Sequence, residues 1–204
     1  MSKITSLTIQ EKNKNRCNIY IDGDFFMALP IELAYKYSLK EGLELDKNLI
    51  DEIVLEKEKS EALSKAINYV SKSLKTKKQV ITYLSGKSFS QQTIDYCIAK
   101  LKEYSYIDDY EYAKRFIEYN SNNQGKHLIS YKLMMKGVRK QDIEKAYEEI
   151  EVNSKENALI VAEKRLKNKE ITQELLSKTY RYLISKGFSY DDANYAIEKF
   201  KGCF

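Results

Sequence analysis

One proline, seven glycines, one histidine, three cysteines and no tryptophan stand among 204 residues. With Pro and Gly this scarce, a fold made of many tight turns is excluded and long helices are favoured. Cys17, Cys97 and Cys203 are odd in number, far apart and without C-x-x-C spacing. That pattern argues against a disulfide framework or a zinc knuckle and points to a reduced cytoplasm. With His127 alone, no pair of histidines and no His-rich metal cluster is available. Neither G-x-x-x-x-G-K-[ST] nor G-x-G-x-x-G occurs, so the chain is not expected to hold nucleotide. No run of about 18 apolar residues exists, so no membrane span is expected. The opening MSKITSLTIQEK lacks the apolar stretch of a secretory signal. No reactive constellation emerges. The expectation is a binding protein without catalytic residues, cofactor or metal.

What is present is charge, tyrosine and apolar periodicity. Apolar residues make up 43% of the chain, enough for a core, and charged residues 32%. The 35 basic and 30 acidic residues leave a net charge of +5. Its distribution is uneven: between Ser71 and Ile94 stand Lys72, Lys75, Lys77, Lys78 and Lys87 with no acid, and KRLKNK (164–169) adds four cations. Such stretches fit a nucleic acid or an acidic protein surface, and also fit ordinary solvated helix faces. The 17 tyrosines suit half-buried surfaces. Packing between helices is their simpler role; stacking on bases or filling a partner's pocket is the other.

The first 29 residues read as β structure. ITSLTIQ and RCNIYIDGDFFMAL alternate with period two, and Asp22-Gly23 supplies the positive φ pair of a type I′ hairpin. A three-stranded meander is expected, packed on something else. After Pro30, IELAYKYSL reads as a short helix with Pro in its first turn, Gly42 as its end or the next loop, and Asp46 as a cap for a helix through LIDEIVL. From Ser60 every segment reads helical.

A period then appears. Phe89, Val138 and Phe188 align at spacings of 49 and 50 residues. Leu84, Leu133 and Leu183 lie five residues earlier. At offsets of 5, 8, 9 and 12 after the anchor come Ile94, Ile143 and Ala193; Cys97, Ala146 and Ala196; Ile98, Tyr147 and Ile197; Leu101, Ile150 and Phe200. These offsets make one apolar stripe on a helix. Cys97 on that stripe reads as a small buried hydrophobe. Gly137 and Gly187 stand where a left-handed residue stops a helix, whereas repeat one has Ser88 there and its turn is expected to differ. Ser90 and Ser189 are caps, Ser189 with Asp192 and Thr76 with Gln79 form capping boxes, and Asp108 with Glu111 marks a helix start, which accounts for Asp108-Asp109 without a metal. An earlier helix in each unit carries a central alanine: Ala66, Ala113, Ala162. The expected architecture is mainly α. A β-meander with short helices (1–55) precedes three tandem three-helix repeats (56–107, 108–153, 154–204) stacked as an elongated, curved array.

At these residues the sequence resembles the RecX family, bacterial regulators of the RecA recombinase, over nearly its whole length. LKTKKQVITYL (74–84) stands where that family has an R-x-R-S-x-x-E-L-type segment, with Lys75, Thr76, Gln79 and Val80 at its Arg, Ser, Glu and Leu positions. YIDDYEYAKRF (106–116) matches its Y-x-D-D-x-x-[FY]-A element. QGKHLISYKLMMKGV (124–138) follows G-x-x-x-I-x-x-x-L-x-x-K-G-[IV] through Gly125, Ile129, Leu133, Lys136, Gly137 and Val138. The resemblance implies a non-enzymatic, cytoplasmic monomer. It would bind a RecA recombinase–DNA filament along its groove and damp ATP hydrolysis, strand exchange and coprotease action. An array of modest contacts on one body would combine through effective concentration. A sequence-neutral or helix-turn-helix-like DNA-binding protein and a helical interaction scaffold are the rival readings.

Candidate contact residues are the cations. Lys75, Lys77 and Lys78, and Lys126 with His127, stand at helix starts, where free amides also favour anions. His127 there suits solvent or phosphate contact better than catalysis. Lys136, Arg139 and Lys140 follow in repeat two, and Lys164, Arg165 and Lys167 in repeat three. Phosphate contacts by such residues carry no base information, so binding to single- or double-stranded DNA would be non-specific and salt-sensitive. The stripe itself is testable. Leu133→Ala should cost about 2–5 kcal/mol of unfolding free energy, read from urea denaturation; a change below about 0.5 kcal/mol would remove Leu133 from the core.

Overall fold

The computed structural model of the protein describes residues 2–201; Cys203 lies outside them. Strands β1 (Ser2–Ile9), β2 (Arg16–Ile21), β3 (Asp24–Pro30) and β4 (Glu44–Leu45) form one antiparallel sheet in the order β3-β2-β1-β4. The expected meander therefore gains a fourth strand. It pairs only Ser2 with Leu45 and Lys3 with Glu44, too short a stretch to show alternation in sequence. Asp22 (φ 51°) and Gly23 (φ 95°) make the turn between β2 and β3 with positive φ at both centres. Cys17 and Ile19 on β2, and Met27 and Leu29 on β3, bury one face of the sheet together with Ile4.

Helix α1 (Ile31–Lys36) packs on that face through Ala34. Pro30 is its N-cap and the last residue of β3 rather than a member of its first turn. Ser38, at φ 50°, stops it: its N–H donates to Tyr35 O (3.0 Å) and the Leu39 N–H to Ala34 O (2.8 Å). Gly42 serves the next turn. Asp46 caps α2 (Lys47–Val70) by accepting from the Leu49 N–H at 2.8 Å. This helix runs 24 residues without a break and joins two segments that read as separate helices in sequence, because LEKEKSEAL between them holds no Gly or Pro. Its first half packs Ile53 into the sheet cluster, and Arg16 of β2 reaches both Glu61 (3.0 Å) and the Ala28 carbonyl (3.2 Å). The Arg16–Glu61 pair is partly exposed and contributes little by charge alone.

Eight further helices follow: α3 (Lys77–Ser85), α4 (Gln91–Glu103), α5 (Asp109–Asn120), α6 (Lys126–Met135), α7 (Lys140–Glu149), α8 (Ser154–Leu166), α9 (Gln173–Ser185) and α10 (Tyr190–Glu198). Two compact units result. Among the described residues, one holds 2–71 with Tyr83–Tyr104; the other holds Lys72–Thr82 and 105–201. In the first, α2 packs on α4. In the second, α5 packs on α6 and α7, and α8 on α9 and α10, over separate apolar clusters. The apolar stripe is where the period puts it. Leu84, Leu133, Leu183, Cys97, Ala146, Ala196 and the alanines Ala66, Ala113 and Ala162 are all fully buried.

The corner between the second and third helix of each trio is one motif used three times. Gly137 (φ 89°) donates to Met134 O and Val138 to Leu133 O; Gly187 (φ 85°) donates to Ile184 O and Phe188 to Leu183 O. This pair of bonds, one spanning six residues and one nested inside it, is the Schellman closure of a helix. The different turn expected at Ser88 is not found. Ser88 takes φ 62° itself, donating to Ser85 O (2.9 Å) while Phe89 donates to Leu84 O (3.5 Å). The strain of a left-handed serine is accepted to keep Leu84 and Phe89 in place. Caps at Ser90, Asp108 and Ser189 form as the spacing indicates, Ser189 with Asp192 as a full capping box.

Within the second unit the start of α6 presses backbone-to-backbone on the α9 corner. The Gly125 N–H donates to Lys186 O (2.9 Å) and the His127 N–H to Gly187 O (3.1 Å). A Cβ on Gly125 would stand 2.1 Å from the Gly187 oxygen. Gly125→Ala should therefore lower stability by about 2 kcal/mol or more, seen as a reduced urea midpoint at unchanged m-value. A midpoint equal to the parent's would show that the two corners do not touch.

Candidate nucleic-acid and partner interface

The helix starts are less available to an anion than the sequence suggests. At α3, the Gln79 N–H donates to Thr76 Oγ1 (3.3 Å) and the Thr76 N–H to Gln79 Oε1 (3.0 Å), closing the expected capping box. The Thr76 hydroxyl donates to the Lys136 carbonyl (2.6 Å), and the Lys77 N–H donates to Asp109 Oδ1 (2.7 Å). The positive end of α3 thus already faces a carboxylate. Asp108 caps α5 from its own chain position, accepting from Tyr110 and Glu111, while Asp109 reaches across to α3. At α6, the His127 amide is taken by Gly187 O. The backbone amides of Lys77 and His127 are therefore already engaged, and their side chains are what they offer.

Those side chains differ in availability. The Lys75 ammonium donates to Ser73 Oγ (2.5 Å) and Lys77 is exposed. Lys78 donates to the Met135 carbonyl (3.1 Å), and its stem lies against Gly137. His127 is exposed at the second position of α6. Arg139 is held by Asp142 through two bonds (2.9 and 3.0 Å), which keep its guanidinium even more firmly protonated. Lys140 pairs with Glu144 at 3.5 Å. Lys126 lies 4.7 Å from the centre of the Tyr147 ring, whose hydroxyl pKa is pushed up to about 12 by burial. Lys136 lies 5.8 Å from that of Phe116. Cys97 is inert by the same logic: burial moves its thiol up to about 11, out of thiolate range.

A repeated corner organises part of this set. Three residues after the central alanines come Tyr69, Phe116 and Arg165; two residues before the aligned Phe89, Val138 and Phe188 come Lys87, Lys136 and Lys186. In repeat one, Tyr69 stacks on Tyr83 (centroids 4.2 Å, planes at 6°) and Lys87 lies over the same Tyr83 at 6.0 Å. In repeat two, Lys136 lies over Phe116. In repeat three, Arg165 stacks on Tyr182 at 4.2 Å and Lys186 lies over that ring at 5.3 Å. Every repeat thus presents a lysine on an aromatic face, each pair worth about 0.5–1 kcal/mol at an exposed site.

In repeat three the corner becomes a basic cavity of about 550 Å³, lined by Lys164, Arg165, Lys167, Lys169, Lys186 and Tyr182 among others. The sequence-picked Lys164, Arg165 and Lys167 converge here. Lys169 and Lys186 are absent from that selection. Lys186 stands at the same offset from Phe188 as Lys136 does from Val138. Among the described residues no helix is long and apolar enough to cross a membrane, and no cluster of three or more His, Cys, Asp or Glu side chains is arranged to hold a metal.

Comparison with known proteins adds to this geometry. Residues 2–46 match the regulatory protein RecX N-terminal domain, 62–101 the first three-helix domain of RecX and 154–197 its third. A regulatory protein RecX of Clostridium botulinum (strain Eklund 17B / Type B) is 38% identical, over 94% of this chain and 92% of that one. One of Clostridium tetani is 33% identical, over 98% and 94%. A crystal structure of a regulatory protein RecX shares the fold with a TM-score of 0.77 at 24% identity, over 97% of this chain and all of the other. For the site's own architecture, Asp109→Ala should cost about 1 kcal/mol by leaving the Lys77 amide without its acceptor. Urea unfolding measures this, and an unshifted midpoint would mean that the bond contributes nothing.

Proposed function

From the premise that this chain belongs to the RecX family of regulatory proteins, we propose that it binds a RecA recombinase–DNA filament in the bacterial cytoplasm. Binding lowers the filament's ATPase, strand-exchange and coprotease activities. One observation supports this more than any other: the relationship extends over nearly the full length of the chain, sheet and helical trios alike. The molecule's role follows from occupancy rather than chemistry. Cys17 and Cys97 are buried, and Asp108, Asp109 and Asp142 are already engaged by backbone amides or a guanidinium. A lysine at the equivalent corner of each repeat lies on an aromatic face, and such cations suit an anionic polymer because contacts to phosphate do not read sequence.

Two segments enter the proposal as contact surfaces. Lys75 and Lys77 lead into α3, and Lys164, Arg165 and Lys167 end α8. Lys78 is a poorer choice, since it already holds the Met135 carbonyl. The experiment is the single-stranded-DNA-dependent ATPase of a RecA-type recombinase, titrated with this protein. Inhibition at substoichiometric amounts is expected, with Lys75→Glu/Lys77→Glu weakening it at least about fivefold while the far-UV circular dichroism and urea midpoint stay put. An ATPase unmoved by the parent protein would sink the proposal. Tight, sequence-dependent duplex binding in its place would favour a helix-turn-helix-like role, and no response to either polymer a scaffold.

A further inference from the structure

We infer that the cavity at the α8–α9 corner is an oxyanion site that seats a backbone phosphate of a nucleic-acid strand. It rests on the reading above only for the choice of polymer. Five cations surround about 550 Å³: Lys164 and Arg165 from the last turn of α8, Lys167 and Lys169 from the loop that follows, and Lys186 from the end of α9. No carboxylate lines it. Two of the other candidate cations, Arg139 and Lys140, are neutralised by Asp142 and Glu144. None of these five forms an ion pair among the described residues.

Part of this crowding has a structural cause. Cations complement the negative end of α8, and the Lys169 ammonium donates to the Arg165 carbonyl at 2.8 Å. That cause accounts for one or two charges, not for Arg165 or Lys186, which converge on Tyr182. The guanidinium stacks 4.2 Å from the ring and the Lys186 ammonium lies 5.3 Å from it. The Arg165 Nε is buried without a hydrogen-bond partner, and the guanidinium has no carboxylate, which leaves its fork without a partner. An oxyanion in the cavity supplies one. Asn123 adds a neutral amide to the lining. The choice of a nucleic-acid strand over an acidic peptide follows the reading above, since the Tyr182 ring already carries the guanidinium and the Lys186 ammonium.

The test uses the full chain without any recombinase, so its failure and that of the filament proposal are separable. A fluorescein-labelled oligo(dT) of about 30 nucleotides is titrated by anisotropy over a range of salt. Lys164→Gln/Lys167→Gln/Lys169→Gln, all exposed, should weaken binding about tenfold or more. It should also flatten the slope of log K against log salt by roughly 0.7 for each phosphate no longer neutralised. Arg165→Lys keeps the charge but not the fork, and should weaken binding several-fold at a nearly unchanged salt slope. Should Arg165→Lys disturb folding, Lys186→Gln reports on the same ring from outside the helix. Unaltered affinity and slope in the triple variant would overturn the site. So would displacement of the oligonucleotide by polyglutamate at equal charge concentration, which would assign the cavity to an acidic protein. Loss of oligonucleotide binding with ATPase inhibition intact would keep the cavity and detach it from filament control.

Discussion

The left-handed residue that closes the second helix of each trio is the constraint on which the remainder hangs. It turns the chain so that a leucine five residues before the anchor and the apolar stripe after it face the same interior. It also fixes what stands outside. The lysine two residues before the anchor is part of the closing turn, so its ammonium is delivered to an aromatic face in every repeat. Burial and display are set by one backbone geometry. That is why Ser88 tolerates a positive φ where glycine would be at ease: the cost of a left-handed serine, about 1–2 kcal/mol, is smaller than the loss of a buried leucine and its partners.

The helical trios share one plan. Each buries a few aliphatic side chains around small residues such as Ala146 and Ala196, which let helices approach closely. The surface is left to vary. In repeat two Lys114, Arg139 and Lys140 pair with neighbouring carboxylates, while in repeat three five cations without such a pair gather around Tyr182. Equivalent folds thus carry unequal electrostatics.

Much of the architecture is legible in the sequence because it is periodic. The stripe, the buried alanines, the capping boxes at Thr76 and Ser189 and the Asp22-Gly23 turn are all local or repeated signals, and the structure places them accordingly. What escapes is non-local or too short to count. Strand β4 is two residues of edge pairing. The continuity of α2 shows only as the absence of a breaker. Asp109 reads as a helix-start residue of α5, and its reach to the Lys77 amide depends on tertiary placement that no spacing encodes. The same holds for the candidate contacts. The basic segments are plain in the sequence, but whether a lysine is engaged by a carbonyl, a carboxylate or a ring can be decided by a distant neighbour, as with Lys78 and Met135.

The uninterrupted α2 has a mechanical meaning. At about 1.5 Å per residue its 24 residues form a rod of about 36 Å. One end is anchored in the sheet through Ile53, and the other buries Ala62, Ala66 and Val70. There is no joint between them. The sheet and α4 are thus splinted to one continuous helix, and compliance within this unit is to be sought elsewhere than along that rod.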